Sequence, residues 1–308
     1  MKRRHLIAIN DMEADVIERI IGLGEDYRYK LINDRRSIEK VLEEKVVVNL
    51  FFEPSTRTRM SFEIASSLLG AKVINFSENV SSIQKGESRL DTLKTIEAMK
   101  VDFIVIRSSI SGLPYLITRD IRDVSIINAG DGAHEHPSQA LLDALTMKIF
   151  FGDIRKIRLV IIGDILFSRV ARSNIRLFKK LGNDNVMVFG PTTLLPKGIE
   201  RWVKVAKSWD EVVSFADVLM LLRIQTERQN SAYVPSTREY KKFWGVTEEK
   251  IAKFKDRIFI MHPGPVNREV ELSSKVIYCN NSLILDQVTS GVAVRMAILD
   301  YLNSTKIN

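Results

Sequence analysis

Ser55, Thr56, Arg57, Thr58 and Arg59 place three hydroxyl and two guanidinium side chains directly after Phe51-Phe52-Glu53-Pro54. The apolar run 46–53 reads as a buried strand, Pro54 and Ser55 as a turn and helix N-cap, and 56–63 as the start of a helix. The hydroxyls and Arg57 then stand where first-turn amides point outward without partners inside the helix. Such a helix start attracts an anion through its donors and its dipole, and an arginine adds a bidentate clamp. The chemistry is phosphate binding without a glycine-rich loop. The plainer alternative is a capped first turn with solvated charges. Cations there oppose the dipole, however, and gain nothing unless an anion lies between them.

Further polar groups fall at the carboxyl ends of expected strands, where open α/β sheets bind ligands. Arg107 ends one apolar run, and the turn 128–139 follows another. In that turn His136 precedes Pro137, a favoured first helical residue, and Gln139 lies three positions on, so both side chains reach the helix entrance. A donor imidazole beside a carboxamide suits a planar group carrying C=O and NH2; a capping histidine in a glycine-rich turn is the equal alternative. Gly163-Asp164 ends a later strand, and Ser168-Arg169 opens the next helix. Leu222-Arg223-Ile224-Gln225 ends another, its alternation turning Arg223 and Gln225 to one side. Any one arginine is more commonly a surface residue; their shared position at strand ends is what favours a site. His262-Pro-Gly-Pro-Val-Asn-Arg is a rigid strand-end loop able to present backbone carbonyls. Gly-x-Ser-x-Gly, a Walker lysine and Gly-x-Gly-x-x-Gly are all absent. The reading is therefore binding and electrostatics, with no cofactor and no covalent intermediate. Four histidines and one cysteine give no zinc spacing, and His134-Glu135-His136 is a weak ligand cluster, so no metal is expected.

The elements that must hold these groups alternate between strand and helix, the pattern of parallel sheets covered by helices. Strands are expected at 46–53, 71–76, 102–107 and 124–129, then at 157–163, 186–189, 218–224 and 257–261. Helices are expected at 61–69 (stopped by Gly70), 90–100, 137–151, 170–181, 247–254 and 291–302. The stretch 228–245, rich in polar and turn residues, reads as a long loop. The fold class is α/β: two doubly wound domains, each a central parallel sheet flanked by helices, the first closed by a C-terminal helix. The boundaries are 1–134 plus 288–308 for the first domain and 135–287 for the second.

Composition narrows the class. With 308 residues, 45% hydrophobic and 27% charged, the chain reads as a soluble globular protein of about two domains. No apolar run approaches the roughly 18 residues of a membrane span, and the apolar start is too short for a signal peptide. A single cysteine, Cys279, fits a reducing cytoplasm. The net charge of +8 is spread among 38 acidic residues without a basic block, which argues against nucleic acid and agrees with anionic small molecules.

With these residues assembled, the chain resembles the carbamoyltransferases, and within them the catalytic chains that use aspartate. Phe51-Phe-Glu-Pro-Ser-Thr-Arg-Thr-Arg, Lys85-Gly-Glu, His136-Pro-Ser-Gln, Gly163-Asp164, Leu222-Arg-Ile-Gln and His262-Pro-Gly-Pro-Val-Asn-Arg follow in the family's order over essentially the whole length. The ornithine branch typically carries His-Cys-Leu-Pro and Ser-Met-Gly, both absent here, and Arg223 and Gln225 suit a dicarboxylate. The resemblance implies carbamoyl transfer from carbamoyl phosphate to L-aspartate, an early step of pyrimidine synthesis. It assigns Ser55, Thr56, Arg57 and Thr58, with Arg107, to the phosphate. Thr58, Arg107 and His136 go to the carbamoyl oxygen, and Gln139 to its NH2. Arg169, Arg223 and Gln225 go to the aspartate carboxylates, with the Pro263–Gly264 backbone nearby. It implies that Ser81 and Lys85 reach a neighbouring subunit's site in a homotrimer, Lys85 serving both substrates and catalysis. Glu53, Arg169 and Arg228 would link domains and loop on closure. Any structural zinc would belong to a separate regulatory chain. Val170 departs from family members that carry a hydroxyl residue there, and takes no side-chain role.

Overall fold

The computed structural model describes residues 5–77, 89–225, 233–254 and 257–305. The chain divides into two compact units, residues 1–145 with 289–308 and residues 146–288.

The first unit begins with α1 (Ala14–Asn33), which buries Ile17, Ile20, Ile21, Gly24 and Tyr27 at helical spacing. Then follow β1 (Val46–Phe51), α2 (Thr56–Leu68), β2 (Lys72–Ser77), α3 (Arg89–Ala98), β3 (Phe103–Ser108), α4 (Leu113–Ile117), β4 (Ser125–Asp131) and α5 (Pro137–Phe151). Gly70, at φ +90°, lies just past the end of α2 as expected. The four strands are parallel in the order β2-β1-β3-β4. Their core joins Val48, Leu50, Ile104, Ile106 and Ile126 to Leu93 and Ile96 of α3. The final helix, Ile284–Ser304, contributes Ala293, Val294, Met296, Ala297, Ile298 and Leu299, all fully buried. Its close seating on α1 needs Gly24, where a Cβ would meet Leu145 at 3.1 Å and Val294 at 3.2 Å.

The second unit holds β5 (Leu159–Ile162), α6 (Arg169–Lys180), β6 (Val186–Phe189), β7 (Lys204–Val205), α7 (Trp209–Phe215), β8 (Val218–Leu221), α8 (Thr237–Trp244), α9 (Glu248–Ile251) and β9 (Phe259–Met261). Its parallel sheet runs β7-β6-β5-β8-β9. Strands β5, β6 and β8 are buried throughout, as strands covered on both faces must be.

Two doubly wound parallel sheets with a closing helix are what the alternating pattern predicts. One expectation fails: the stretch 228–245 is not all loop. Residues 226–232 lie outside the described residues, but 237–244 form α8. Ser236 caps it, accepting from the Glu239 amide at 3.1 Å, and Tyr240 anchors it in the core. Strand β8 also ends at Leu221, so 222–225 continue beyond the ladder. Among the described residues no helix is long and apolar enough to cross a membrane.

Each sheet has one place where the strand order reverses. In the first it lies between β1 and β3, in the second between β5 and β8. Ligands of open α/β sheets bind in the crevice outside such a reversal.

Candidate active site

In the first unit the chain leaves β1 at Phe51 and enters α2 through Glu53, Pro54 and Ser55. Ser55 occupies the N-cap with an extended backbone (φ −161°, ψ 91°), yet its side chain makes no capping bond. The first helical bond is Arg59 N–H to Ser55 O at 3.3 Å. The helix therefore opens with Thr56, Arg57 and Thr58 and without the side-chain cap its sequence could supply. Thr56 and Arg57 are exposed and Thr58 is buried.

Arg107, near the end of β3, lies across the sheet reversal from this turn. Its Nε donates to Glu53 Oε1 at 2.7 Å, and its Nη1 reaches Thr58 Oγ1 and Ala129 O, both at 3.4 Å. One guanidinium thus joins the exit of β1, the first turn of α2 and β4. Glu53 holds Arg107 within its own unit, so this carboxylate has a local partner besides any closing role.

The turn after β4 delivers His136 and Gln139. Its hub is Asp131, almost fully buried, which accepts from Asn128 Nδ2 (2.8 Å), Gly112 N (2.6 Å) and Glu135 N (3.1 Å), with His134 Nδ1 at 2.9 Å. His134 is thereby spoken for. Among the described residues no group of three or more His, Cys, Asp or Glu side chains is poised for a metal. His136 is buried at the entrance to α5, where its carbonyl accepts from the Gln139 and Ala140 amides at 3.0 and 3.2 Å. The Ser138 hydroxyl lies 3.4 Å from its Nδ1. Gln139 Nε2 donates to Asp143 Oδ1 at 2.9 Å, which leaves the Gln139 carbonyl oxygen as the acceptor end of the amide.

Behind Gln139, Arg295 of the final helix is buried. It donates to Ser61 Oγ at 3.0 Å and Gly291 O at 2.8 Å and lies 5.0 Å over the Phe62 ring. Burial pushes its guanidinium down to about 10, against the opposing pull of the Asp143 charge. Asp131, Asp143 and Arg295 escape the sequence reading. The only signal for them is a carboxylate in a glycine-rich turn, or a charge on an otherwise apolar helix face.

In the second unit the reversal lies between β5 and β8. After β5, Gly163 at φ +122° turns the chain, and a Cβ there would stand 2.7 Å from both Leu222 O and Tyr240 Oη. Asp164, fully buried, accepts from Phe167 N through Oδ1 and from Gln225 N through Oδ2, each at 3.0 Å. It therefore pins the loop after β5 to the segment after β8. Ser168 caps α6 through the Ala171 amide at 3.1 Å, and Arg169, the first helical residue, is nearly fully buried. Arg223 and Gln225 are half-buried and meet each other, Nη2 to Oε1 at 3.5 Å, so they share a side as the alternation predicts. Pro263 and Gly264 are half-buried in the loop after β9. His262 holds that loop by accepting from Gly264 N at Nδ1, 2.8 Å, and its own amide donates to Gln287 Oε1 at 2.8 Å. Val170 is half-buried beside Arg169. Ser81, Lys85 and Arg228 lie outside the described residues.

The first unit thus gathers hydroxyls, a guanidinium, an imidazole and a carboxamide at strand ends, and the second gathers two arginines, a carboxamide and a loop backbone. Residues 4–149 match the family model for the carbamoyl-P binding domain of aspartate/ornithine carbamoyltransferase, and residues 155–302 match its Asp/Orn binding domain. The chain is 50% identical over 299 residues to the aspartate carbamoyltransferase catalytic subunit of Syntrophotalea carbinolica, covering 96% of this chain and 94% of that one. It is 47% identical over 303 residues to that of Caldanaerobacter subterraneus, covering 98% of each. Among solved structures it is similar to the catalytic subunit of M. jannaschii aspartate transcarbamoylase (34% identity, TM-score 0.84, 97% of each chain). It is also similar to Trypanosoma cruzi aspartate transcarbamoylase in complex with N-(phosphonacetyl)-L-aspartic acid (30% identity, TM-score 0.87, 97% of this chain and 95% of that one).

Proposed function

The chain belongs to the aspartate/ornithine carbamoyltransferase family, and from that premise we propose that it transfers the carbamoyl group of carbamoyl phosphate to the amine of L-aspartate. The products are N-carbamoyl-L-aspartate and phosphate. The observation that carries this reading is a helix start rich in hydroxyls and arginine beside Arg107, at the reversal of a parallel sheet. Relatives named for aspartate support the acceptor, as does a pair of arginines with a carboxamide at the second reversal.

The segment matched over 4–149 is assigned to carbamoyl phosphate and the segment matched over 155–302 to aspartate. Ser55, Thr56, Arg57 and Thr58 hold the phosphate with Arg107. Thr58, Arg107 and His136 donate to the carbamoyl oxygen. With Ser138 beside Nδ1 on one side of the ring, Nε2 of His136 is the nitrogen assigned to the carbamoyl oxygen. Gln139, its Nε2 committed to Asp143, offers its oxygen to the carbamoyl NH2. Arg169, Arg223 and Gln225 receive the two carboxylates of aspartate near the Pro263–Gly264 backbone.

The aspartate amine attacks the carbamoyl carbon, and the carbonyl electrons move onto oxygen. The C–O bond to phosphate then breaks, and the departing phosphate takes the amine proton. Donors fixed on the developing oxyanion supply much of the acceleration, each worth on the order of 10²–10³ in rate. Closure bringing Glu53, Arg169 and Arg228 together aligns the two substrates.

The term catalytic subunit in the relatives' names supports an oligomer. The assembly we infer is a homotrimer in which Ser81 and Lys85 complete a neighbour's site, with any zinc carried by a separate regulatory chain. The half-buried free Cys279 suits a reducing cytoplasm. The test is product formation from carbamoyl phosphate with aspartate and, in parallel, ornithine. Carbamoylaspartate alone is the expected result. Citrulline formation would overturn the acceptor assignment, and carbamoyl-phosphate binding without turnover would mark a non-catalytic homologue.

A further inference from the structure

Below the loop after β9 lies a buried pair with no role in the chemistry above. His262 Nε2 stands 3.3 Å from Glu271 Oε1, and the two side chains are 0% and 1% exposed. Each also holds a backbone amide of the loop between them. His262 Nδ1 accepts from Gly264 N at 2.8 Å, and Glu271 Oε1 accepts from Asn267 N at 2.6 Å. Because Nδ1 accepts, the ring proton sits on Nε2, the nitrogen that lies 3.3 Å from the carboxylate. The loop 262–271 is therefore closed from inside by an imidazole and a carboxylate that also face each other.

This has a directional consequence for Pro263. Its carbonyl shares a trans peptide plane with the Gly264 N–H, and the two point in opposite directions. With the Gly264 N–H aimed at the buried imidazole, the Pro263 oxygen is aimed away from it, as a fixed acceptor on the outer side of the loop. Gly264 at φ +68° turns the chain directly after. Tyr240 completes the support. Its phenol is buried, its ionisation is pushed up by burial and then by the charges of Glu271 and Asp164, and its Oη lies beside Gly163. Asp164 in turn holds the Gln225 amide. Burying such groups is costly unless they are bonded, and apolar side chains of the same size often serve stability as well or better.

We propose that His262 and Glu271 are positioning residues for the acceptor half of the reaction, fixing the Pro263 carbonyl as the acceptor for a substrate N–H. The proposal rests on the aspartate reading given above. The imidazole sets where the oxygen points, the Gly264 N–H fixes the tautomer of the imidazole, and the carboxylate packs against the ring while holding the Asn267 amide. Neither touches substrate.

The experiment is steady-state kinetics of His262→Ala, His262→Asn and Glu271→Gln in the full-length protein, with carbamoyl-phosphate affinity and thermal midpoint measured beside them. His262→Ala should lower kcat/KM for aspartate about tenfold to hundredfold, the range for a small misplacement of a positioning group. Carbamoyl-phosphate affinity should stay within twofold. His262→Asn, whose carbonyl can still accept from Gly264 N, should recover most of the loss, and Glu271→Gln should fall between. A folded His262→Ala with native aspartate kinetics would overturn the proposal while leaving the carbamoyltransferase reading intact. So would equal losses for both substrates, the mark of a purely structural role. Should His262→Ala fail to fold, the same criteria apply to His262→Asn and Glu271→Gln. A wild-type protein inert toward aspartate would overturn both readings, and that control is run first.

Discussion

Asp143→Asn tests whether the buried charges behind Gln139 work as one unit. Asp143 is fully buried, accepts the Gln139 Nε2 bond and is the carboxylate whose charge acts on Arg295. Even with that help, burial lowers Arg295 from 12.5 to about 10. A depression of that size corresponds to roughly 3 kcal/mol by which folding disfavours the guanidinium cation. The folded group binds its proton less tightly than the unfolded one, so this cost is present in full at neutral pH and is relieved only as pH rises through the range between the two values. Removing Asp143's charge withdraws an attraction that opposes it, and loss of one of two opposite buried charges costs about 3–5 kcal/mol. At about 2–4 °C per kcal/mol, the thermal midpoint should fall by roughly 6–20 °C. Differential scanning calorimetry at pH 7 reads this directly, and a fall of less than about 2 °C would refute the reasoning. The double variant Asp143→Leu, Arg295→Met removes both charges together and should restore most of the midpoint, because apolar replacement of a whole buried pair is often neutral. It should not restore turnover, because the Gln139 amide has still lost its partner. Native kcat in a stable double variant would show that Gln139 needs no fixing.

Three further outcomes follow from the same geometry. Arg107→Lys loses the planar fork that spans Glu53 and Thr58, and kcat should fall on the order of 10²–10³; less than a fivefold loss in a product assay would remove Arg107 from the oxyanion site. Gly163→Ala places a Cβ 2.7 Å from Leu222 O and Tyr240 Oη at φ +122°, and backbone strain alone should cost about 1–3 kcal/mol; an unchanged urea midpoint would contradict it. Asp217 is pushed up by burial, but the bonds it accepts from the Arg158 side chain and amide outweigh this and leave it below the ordinary carboxylate value of 3.8. Its ionised form therefore stabilises the fold above that value and loses the contribution as pH falls through the lower folded one. Asp217→Asn should be less stable than wild type at pH 7, with the difference closing on acidification; a difference constant down to pH 3 would exclude the linkage.

Legibility from sequence followed the range of the interaction. Strands β1, β3, β5 and β8 show as apolar runs because they are covered on both faces, and the polar residues after them mark the strand ends. The positions of Ser55–Arg59, Arg107, His136 and Gln139 follow from sequence because each lies near one strand-to-helix joint. Helix α1 was not picked out, since Gly22 and Gly24 interrupt its pattern, and Gly24 is explained only by Leu145 and Val294 arriving from far along the chain. Helix α8 was hidden in polar sequence, although Ser236 and Glu239 form the S-x-x-E start signal. Asp131, Asp143, Glu271 and Arg295 were opaque for a different reason. Their meaning depends on which distant segment folds against them, as with Arg295 and Ser61.

The final helix gives the first unit a history as well as a core. That unit begins with the earliest residues of the chain but needs 289–305 to cover Leu145, Ser61 and the inner face of α1. On the ribosome those residues emerge only after the whole of 146–288. At roughly 5–20 residues per second, that interval lasts on the order of ten seconds or more. For that time the first unit carries an open apolar groove while the second is still being made, and the two reach completion within 20 residues of each other. Synthesised first, that unit cannot close its core until the chain is nearly finished, and in the nascent state it is the part that most needs protection from proteases and from its neighbours on the same message.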